Sequence, residues 1–114
     1  MCTQSEAMEI FGEVVKQCSE IFGDKLRDAY LYGSYARGDF DNESDLDILF
    51  TVDEKEENLG KFRSRVSLVN DRIGLDRDIL ISTVIVPYDR FWGYSEIMPF
   101  YMNVLKDGIR YAEL

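Results

Sequence analysis

The chain has 114 residues, 46% hydrophobic and 31% charged, so it is long enough for one folded domain over residues 1–114 and too short for two. Its formal charge of −9 disfavours a nucleic-acid partner, because proteins usually meet the phosphate backbone with Lys and Arg. The chain contains no histidine, which removes the commonest general base and most zinc sites, so its chemistry must depend on carboxylates.

Membrane and disulfide signals are missing from the sequence. Wholly apolar runs span only a few residues, and the N-terminus lacks the basic and then apolar pattern of a secretory signal. We therefore expect a cytoplasmic protein without membrane contact. Cys2 and Cys18 are the only cysteines, and we expect both to be free thiols because a chain of this length needs no disulfide framework.

The first predicted elements are a helix and a strand. From Thr3 to Phe22 the apolar residues recur at steps of three and four, which predicts an amphipathic helix with Thr3 and Glu6 as its capping box. Gly23 predicts the end of this helix. The short, aromatic segment from Leu26 to Tyr32 is typical of a strand that ends at Gly33.

A polar loop, a second strand and a second long helix follow. Residues 34–44 are polar and contain glycine, which predicts a loop with room for one helical turn, and residues 46–52 read as a buried strand. The acidic run 53–57 is typical of a solvated helix entry. Apolar residues from Leu59 to Ile73, again at steps of three and four, predict the helix itself.

The last third of the chain predicts a strand, an aromatic segment, a helix and a short edge strand. We expect the third strand over Asp76–Ser82, with an extended continuation that Pro87 ends. Residues 88–94 form an aromatic cluster without a clear state; it could be a core lid, a base-stacking site or a partner interface. A helix from Ser95 to Gly108 should turn five residues inward: Ile97, Phe100, Tyr101, Val104 and Leu105.

Residues 109–112 complete the pattern as a possible edge strand. The order of elements predicts an α/β or α+β fold, in which helices flank a mixed β-sheet. We expect the chemistry in the loops at the strand ends.

Two aspartates at the start of the second strand are the strongest chemical signal. Asp45 and Asp47 are two residues apart, so their side chains share one face of the strand. Paired carboxylates of this kind favour magnesium or manganese over zinc. Upstream, Gly33 lets the backbone approach a ligand closely and Ser34 offers a hydroxyl, which together predict a site for a metal-bound triphosphate.

A third carboxylate is available in the predicted third strand. Both Asp76 and Asp78 fall there, and a charged residue inside a buried strand is costly unless it is paired or bound to a metal. The pattern alone does not separate these two candidates. Two interpretations of Arg37 also stay open, contact with phosphates and a surface ion pair.

The segments Gly33-Ser34-Tyr35-Ala36-Arg37-Gly38 and Ser44-Asp45-Leu46-Asp47-Ile48-Leu49 resemble the signature of the minimal nucleotidyltransferases in the DNA polymerase β superfamily. This resemblance implies a palm-like nucleotidyltransferase fold. It also implies that Gly33 and Ser34 bind the distal phosphates and that Asp45 and Asp47 bind two magnesium ions. The third aspartate of the family, which binds a metal and takes the acceptor's proton, corresponds best to Asp78, because Asp78 directly precedes an apolar run.

The resemblance further implies the reaction and the partner. The expected activity is a magnesium-dependent transfer of AMP from ATP to a hydroxyl group. Minimal relatives of the antitoxin type favour a helical HEPN-type partner protein, modified on a hydroxyl side chain such as tyrosine. Two alternatives stay open: a non-catalytic antitoxin-like module that covers its partner, and a transferase that modifies a cationic aminoglycoside.

Overall fold

The computed structural model describes residues 2–114, which form a four-stranded mixed sheet with helices on both faces. The helices are α1 (Gln4–Phe22), α2 (Ser34–Arg37), α3 (Gly60–Arg77), α4 (Tyr88–Gly93) and α5 (Pro99–Asp107). The strands are β1 (Leu26–Tyr32), β2 (Leu46–Val52), β3 (Ile81–Pro87) and β4 (Ile109–Arg110). The sheet order is β3-β2-β1-β4, in which β1 runs antiparallel to β2 and β4, and β2 runs parallel to β3. The predicted mixed sheet with flanking helices is confirmed.

Helices α1 and α3 cover one face of the sheet and close the larger core. The α1 cap is as predicted, because the Thr3 hydroxyl accepts the backbone N–H of Glu6 at 3.1 Å. The apolar stripes of the two helices meet the buried residues of β2 that point to the same side, which are Leu46, Ile48, Phe50 and Val52. Since β2 is apolar on this face along its whole length, its register in the sheet is firmly specified.

The opposite face carries a smaller core under α4 and α5. Phe91 of α4 is fully buried, with its ring 5.8 Å from that of Tyr30 and 4.9 Å from that of Tyr101. The aromatic segment whose state the sequence left open is therefore a helix, and Phe91 is its core lid. Trp92 and Tyr94 of the same cluster remain exposed.

The third strand differs from the prediction. Helix α3 continues to Arg77, and Asp78 ends it in the left-handed conformation with φ 56° and ψ 50°, so the strand begins only at Ile81. Two contacts accompany the longer helix: Arg77 pairs with Glu13 of α1 at 3.1 Å, and the N–H of Ile79 donates to the carbonyl of Gly74, five residues earlier, at 3.0 Å. The pair with Glu13 joins distant parts of the chain, so the local pattern does not reveal it.

The last helix also differs from the prediction. It begins at Pro99 instead of Ser95, because the N–H groups of Ile97 and Met98 close a turn on the carbonyl of Tyr94. Of the five residues expected to face inward, only Tyr101 and Val104 are buried, while Ile97, Phe100 and Leu105 are exposed. The edge strand β4 is present but covers only two of the four predicted residues.

One buried carboxylate connects four elements. Asp28 of β1 is 4% exposed and accepts hydrogen bonds from the Thr51 hydroxyl of β2 and from the indole N–H of Trp92 in α4, both at 2.8 Å. It also accepts from the Arg110 guanidinium of β4 at 3.1 Å. Asp28 therefore fixes α4 and the edge strand against the centre of the sheet.

Candidate active site

The turn after β1 and the start of β2 lie side by side. In the antiparallel register Tyr32 is the partner of Asp47, so Gly33 comes next to the Asp47 carboxylate. Gly33 has φ 77°, a conformation that side chains rarely adopt, and an added Cβ would collide with Oδ2 of Asp47. Glycine at position 33 therefore permits the positive φ of the turn and leaves the space in which the Asp47 carboxylate lies.

The two aspartates differ in their surroundings. Leu46 is fully buried toward α1 and α3, so Asp47, the next residue of β2, points to the opposite side of the strand, whereas Asp45 directly precedes the strand. Asp45 is exposed and Asp47 is half-buried. Burial and then the negative charge of Asp45 raise the pKa of Asp47, while nearby Arg37 lowers it. The Asp45 and Asp47 carboxylates supply oxygen donors, and a bound divalent cation would offset their mutual repulsion. These residues therefore fit magnesium, which prefers oxygen ligands.

Tyr32, the strand partner of Asp47, also borders this site, and the sequence analysis did not single it out. Burial and the neighbouring Asp47 carboxylate raise its pKa to about 12, so the phenol stays neutral at physiological pH. Its ring meets that of Phe100 edge-on, with 5.4 Å between the centroids. Its position directly before Gly33, at the end of a predicted strand, was the available signal.

Arg37 takes part in the surface ion pair that was one of its two interpretations. Its Nε lies 3.2 Å from the Asp39 carboxylate, and both side chains are largely exposed. The positive charge of Arg37 also lowers the pKa of the Asp47 carboxyl. Contact of Arg37 with a phosphate stays a prediction. The same holds for Ser34, which is the half-buried first residue of α2.

The third aspartate is not on a strand. Asp76 lies in the last turn of α3 and Asp78 caps it, and both are exposed. The residue of β3 opposite Asp47 is Ser82, so the sheet carries no third carboxylate there. Within residues 2–114, no three His, Cys, Asp or Glu side chains are close enough to hold one metal ion together. The strand position assumed for Asp78 is therefore wrong, and its catalytic role remains a prediction.

Asp78 and Asp45 nevertheless line one surface groove of about 1110 Å³. Glu43 and Asp71 line it as well, which makes the groove acidic. The groove lies between the C-terminal half of α3 and the loop that precedes β2. None of the helices in residues 2–114 is long and apolar enough to cross a bilayer.

Comparison with known proteins identifies the family. The chain is 45% identical over 80 residues to the "Putative protein adenylyltransferase" of Methanocaldococcus jannaschii, an alignment that covers 70% of this chain and 79% of that protein. Two solved structures share the fold. A nucleotidyltransferase structure from Sulfolobus solfataricus, itself described as putative, superposes with a TM-score of 0.59 at 23% identity, covering 94% of this chain and 80% of the other.

The second structure is the complex of tri-AMPylated Shewanella oneidensis HEPN toxin with MNT antitoxin. It superposes with a TM-score of 0.53 at 16% identity over 91% of this chain and 70% of the matched chain. Residues 12–101, which include Gly33, Asp45 and Asp47, match the nucleotidyltransferase domain. The chain therefore belongs to the nucleotidyltransferase-domain family.

Proposed function

We propose that this nucleotidyltransferase moves AMP from ATP onto a hydroxyl group of a partner protein, and that the partner is a helical HEPN-type toxin. The observation that carries the proposal is the packing of Gly33 against Asp47, beside Asp45, which joins a close-approach turn to paired carboxylates. The relative named as a protein adenylyltransferase supports the choice of AMP and of a protein acceptor. The fold shared with a complex of AMPylated HEPN toxin supports the kind of partner.

Each residue of the site has a role in this proposal. Asp45 and Asp47 hold magnesium, with two ions expected and manganese as a possible substitute. When bound, magnesium neutralises charge on the triphosphate and lowers the pKa of the acceptor hydroxyl. The turn at Gly33 admits the distal phosphates, to which the Ser34 hydroxyl donates, and the Arg37 guanidinium balances their charge.

In the transfer step the acceptor oxygen forms a bond to the α-phosphorus of ATP. The bond from that phosphorus to the bridging oxygen breaks, pyrophosphate leaves, and the acceptor oxygen gives up its proton. We keep Asp78 as the candidate proton acceptor, because it shares the groove with Asp45 whereas the position opposite Asp47 carries Ser82.

The test is to incubate the chain with magnesium, ATP and the HEPN-type protein encoded beside it, and to weigh the partner by intact mass spectrometry. We expect a gain of one AMP or a multiple, and its loss with Asp45→Asn. Asp78→Asn should slow the transfer at least about tenfold if Asp78 takes the proton, whereas the exposed neighbour Asp76→Asn is the matched control.

Two outcomes would contradict the proposal. A partner that binds tightly but gains no mass would identify the chain as a non-catalytic antitoxin-like module. Transfer of AMP to an added aminoglycoside instead of the protein would identify a small-molecule transferase.

A further inference from the structure

Seven exposed apolar side chains follow Phe91 of the smaller core in the chain. These side chains are between 36% and 69% exposed. They are Trp92, Tyr94, Ile97, Met98, Phe100, Met102 and Leu105. Residues 92–105, which we call the 92–105 surface, contain a single charged residue, Glu96, in a chain that is 31% charged. Exposed apolar side chains gathered in a nearly uncharged segment mark a candidate contact site.

The geometry of α5 brings part of this surface into one stripe. Met98, Met102 and Leu105 follow at steps of four and three, and the N–H of Met102 donates to the carbonyl of Met98 at 3.0 Å, so the three share a helix face. The core of the domain uses Tyr101 and Val104 instead, which are buried. The exposed stripe is therefore not needed to hold α5 on the sheet.

One residue of the 92–105 surface, Phe100 on the other flank of α5 from this stripe, reaches the candidate active site. Phe100 contacts the ring of Tyr32 edge-on, and Tyr32 is the strand partner of Asp47. A protein that covers the surface would consequently stand beside the paired carboxylates. Gly33 packs against the Asp47 carboxylate at the turn where the proposed nucleotide phosphates lie.

We propose that the 92–105 surface is the docking site for the acceptor protein, which presents an uncharged, apolar helical face to it. This inference rests on the proposed function. The acceptor is favoured over a second copy of the chain because Phe100 joins the surface to Tyr32, the strand partner of Asp47, and a transferase must hold its second substrate near the carboxylates. The chain has a net charge of −9, which repels an acidic partner from most of its surface. The nearly uncharged 92–105 surface can bind such a partner through apolar contacts.

The test compares two lysine substitutions that differ only in place. Ile97 of the surface is 69% exposed and Leu68 of α3 is 70% exposed, so Ile97→Lys and Leu68→Lys add the same charge at equal exposure. The probe is the HEPN-type protein encoded beside the chain, and its affinity is measured by calorimetry without ATP. We expect Ile97→Lys to weaken binding at least about tenfold, and Leu68→Lys to change it less than about twofold.

Kinetics separate this inference from the proposed function. Where transfer occurs, Ile97→Lys should raise the KM for the acceptor about tenfold and leave the KM for ATP and kcat unchanged. If the wild-type chain binds the probe without transferring AMP, the proposed function fails, and the two lysine variants still decide where binding occurs.

Three results would overturn the docking site. Equal binding by wild type and Ile97→Lys would place the partner elsewhere. Absence of binding by the wild type would exclude this partner. A wild-type dimer that Ile97→Lys dissociates, seen by light scattering, would assign the surface to a second copy.

Discussion

At Gly33, the backbone and the side-chain packing impose the same requirement. Its φ of 77° excludes most residues, and the space where a Cβ would stand holds the Asp47 carboxylate. The same contact positions a half-buried acid whose pKa burial and Asp45 raise. A single glycine thus decides both whether the turn forms and where one proposed metal ligand points.

We therefore predict that Gly33→Ala destabilises the fold by about 1–3 kcal/mol and removes transfer activity, because the methyl group displaces Asp47. Gly93→Ala is the matched control, since a Cβ there meets nothing within 4 Å and its backbone needs no glycine. Urea unfolding and the mass assay measure the two effects. Full activity in Gly33→Ala would show that the position of Asp47 does not matter.

Among the elements, the contacts of Asp28 hold α4 and β4 in place. Its carboxylate accepts from Trp92 and Arg110, which lie 64 and 82 residues further along the chain. The edge strand β4 has only two residues, so its own ladder gives it little stability. The buried acceptor compensates for this by fixing Arg110 to the centre of the sheet.

Asp28→Ala should destabilise the protein by about 2–4 kcal/mol, because it leaves the indole N–H, the Thr51 hydroxyl and the guanidinium without their acceptor. Trp92 is the only tryptophan, so its fluorescence should also shift toward the emission of exposed indole. Urea unfolding followed at this fluorophore measures both changes. The control is Asp89→Ala, which removes an exposed aspartate of α4. An equal loss of unfolding free energy in both variants would show that the buried contacts of Asp28 do not stabilise the fold.

The sequence predicted those elements whose pattern is local. Strands β1 and β2 begin and end where the short aromatic segment and the apolar run indicate, at Leu26–Tyr32 and Leu46–Val52. The start of β3 was not predicted, because α3 continues to Arg77, where the pair with Glu13 joins it to α1, through a segment that has the apolar pattern of a strand. The beginning of α5 depends on a turn at Tyr94 in the same way.

The candidate site also contains residues that a local motif predicts and residues that only the fold brings in. Gly33, Asp45 and Asp47 belong to one short motif, and the structure brings Gly33 against Asp47. Ser82 comes opposite Asp47 only through the strand register, which a single sequence does not reveal, whereas Tyr32 directly precedes the motif and was not singled out. The apolar 92–105 surface was hidden because its spacing is that of a core helix, while only part of it is buried.

On the scale of the whole molecule, the proposed docking surface is set apart from the charged surface. The chain has 22 acidic and 13 basic residues, yet residues 92–105 include a single charged residue, and Phe100 among them contacts Tyr32, the strand partner of Asp47. The site lies where β1 ends and β2 begins, so the sheet holds the carboxylates rigidly while the docking surface belongs to helices outside it. Specificity for the acceptor and binding of the nucleotide therefore depend on different elements.

The central claim is that Asp45, Asp47 and the Gly33 turn form one metal and nucleotide site. Its most direct test is the melting temperature with and without magnesium and ATP, for the wild type, Asp47→Asn and the control Asp76→Asn. Ligand at about 100 times its Kd adds about 2.7 kcal/mol, so the wild type and Asp76→Asn should melt about 10 °C higher. Asp47→Asn should show no such rise, whereas an equal rise in all three proteins would contradict the site.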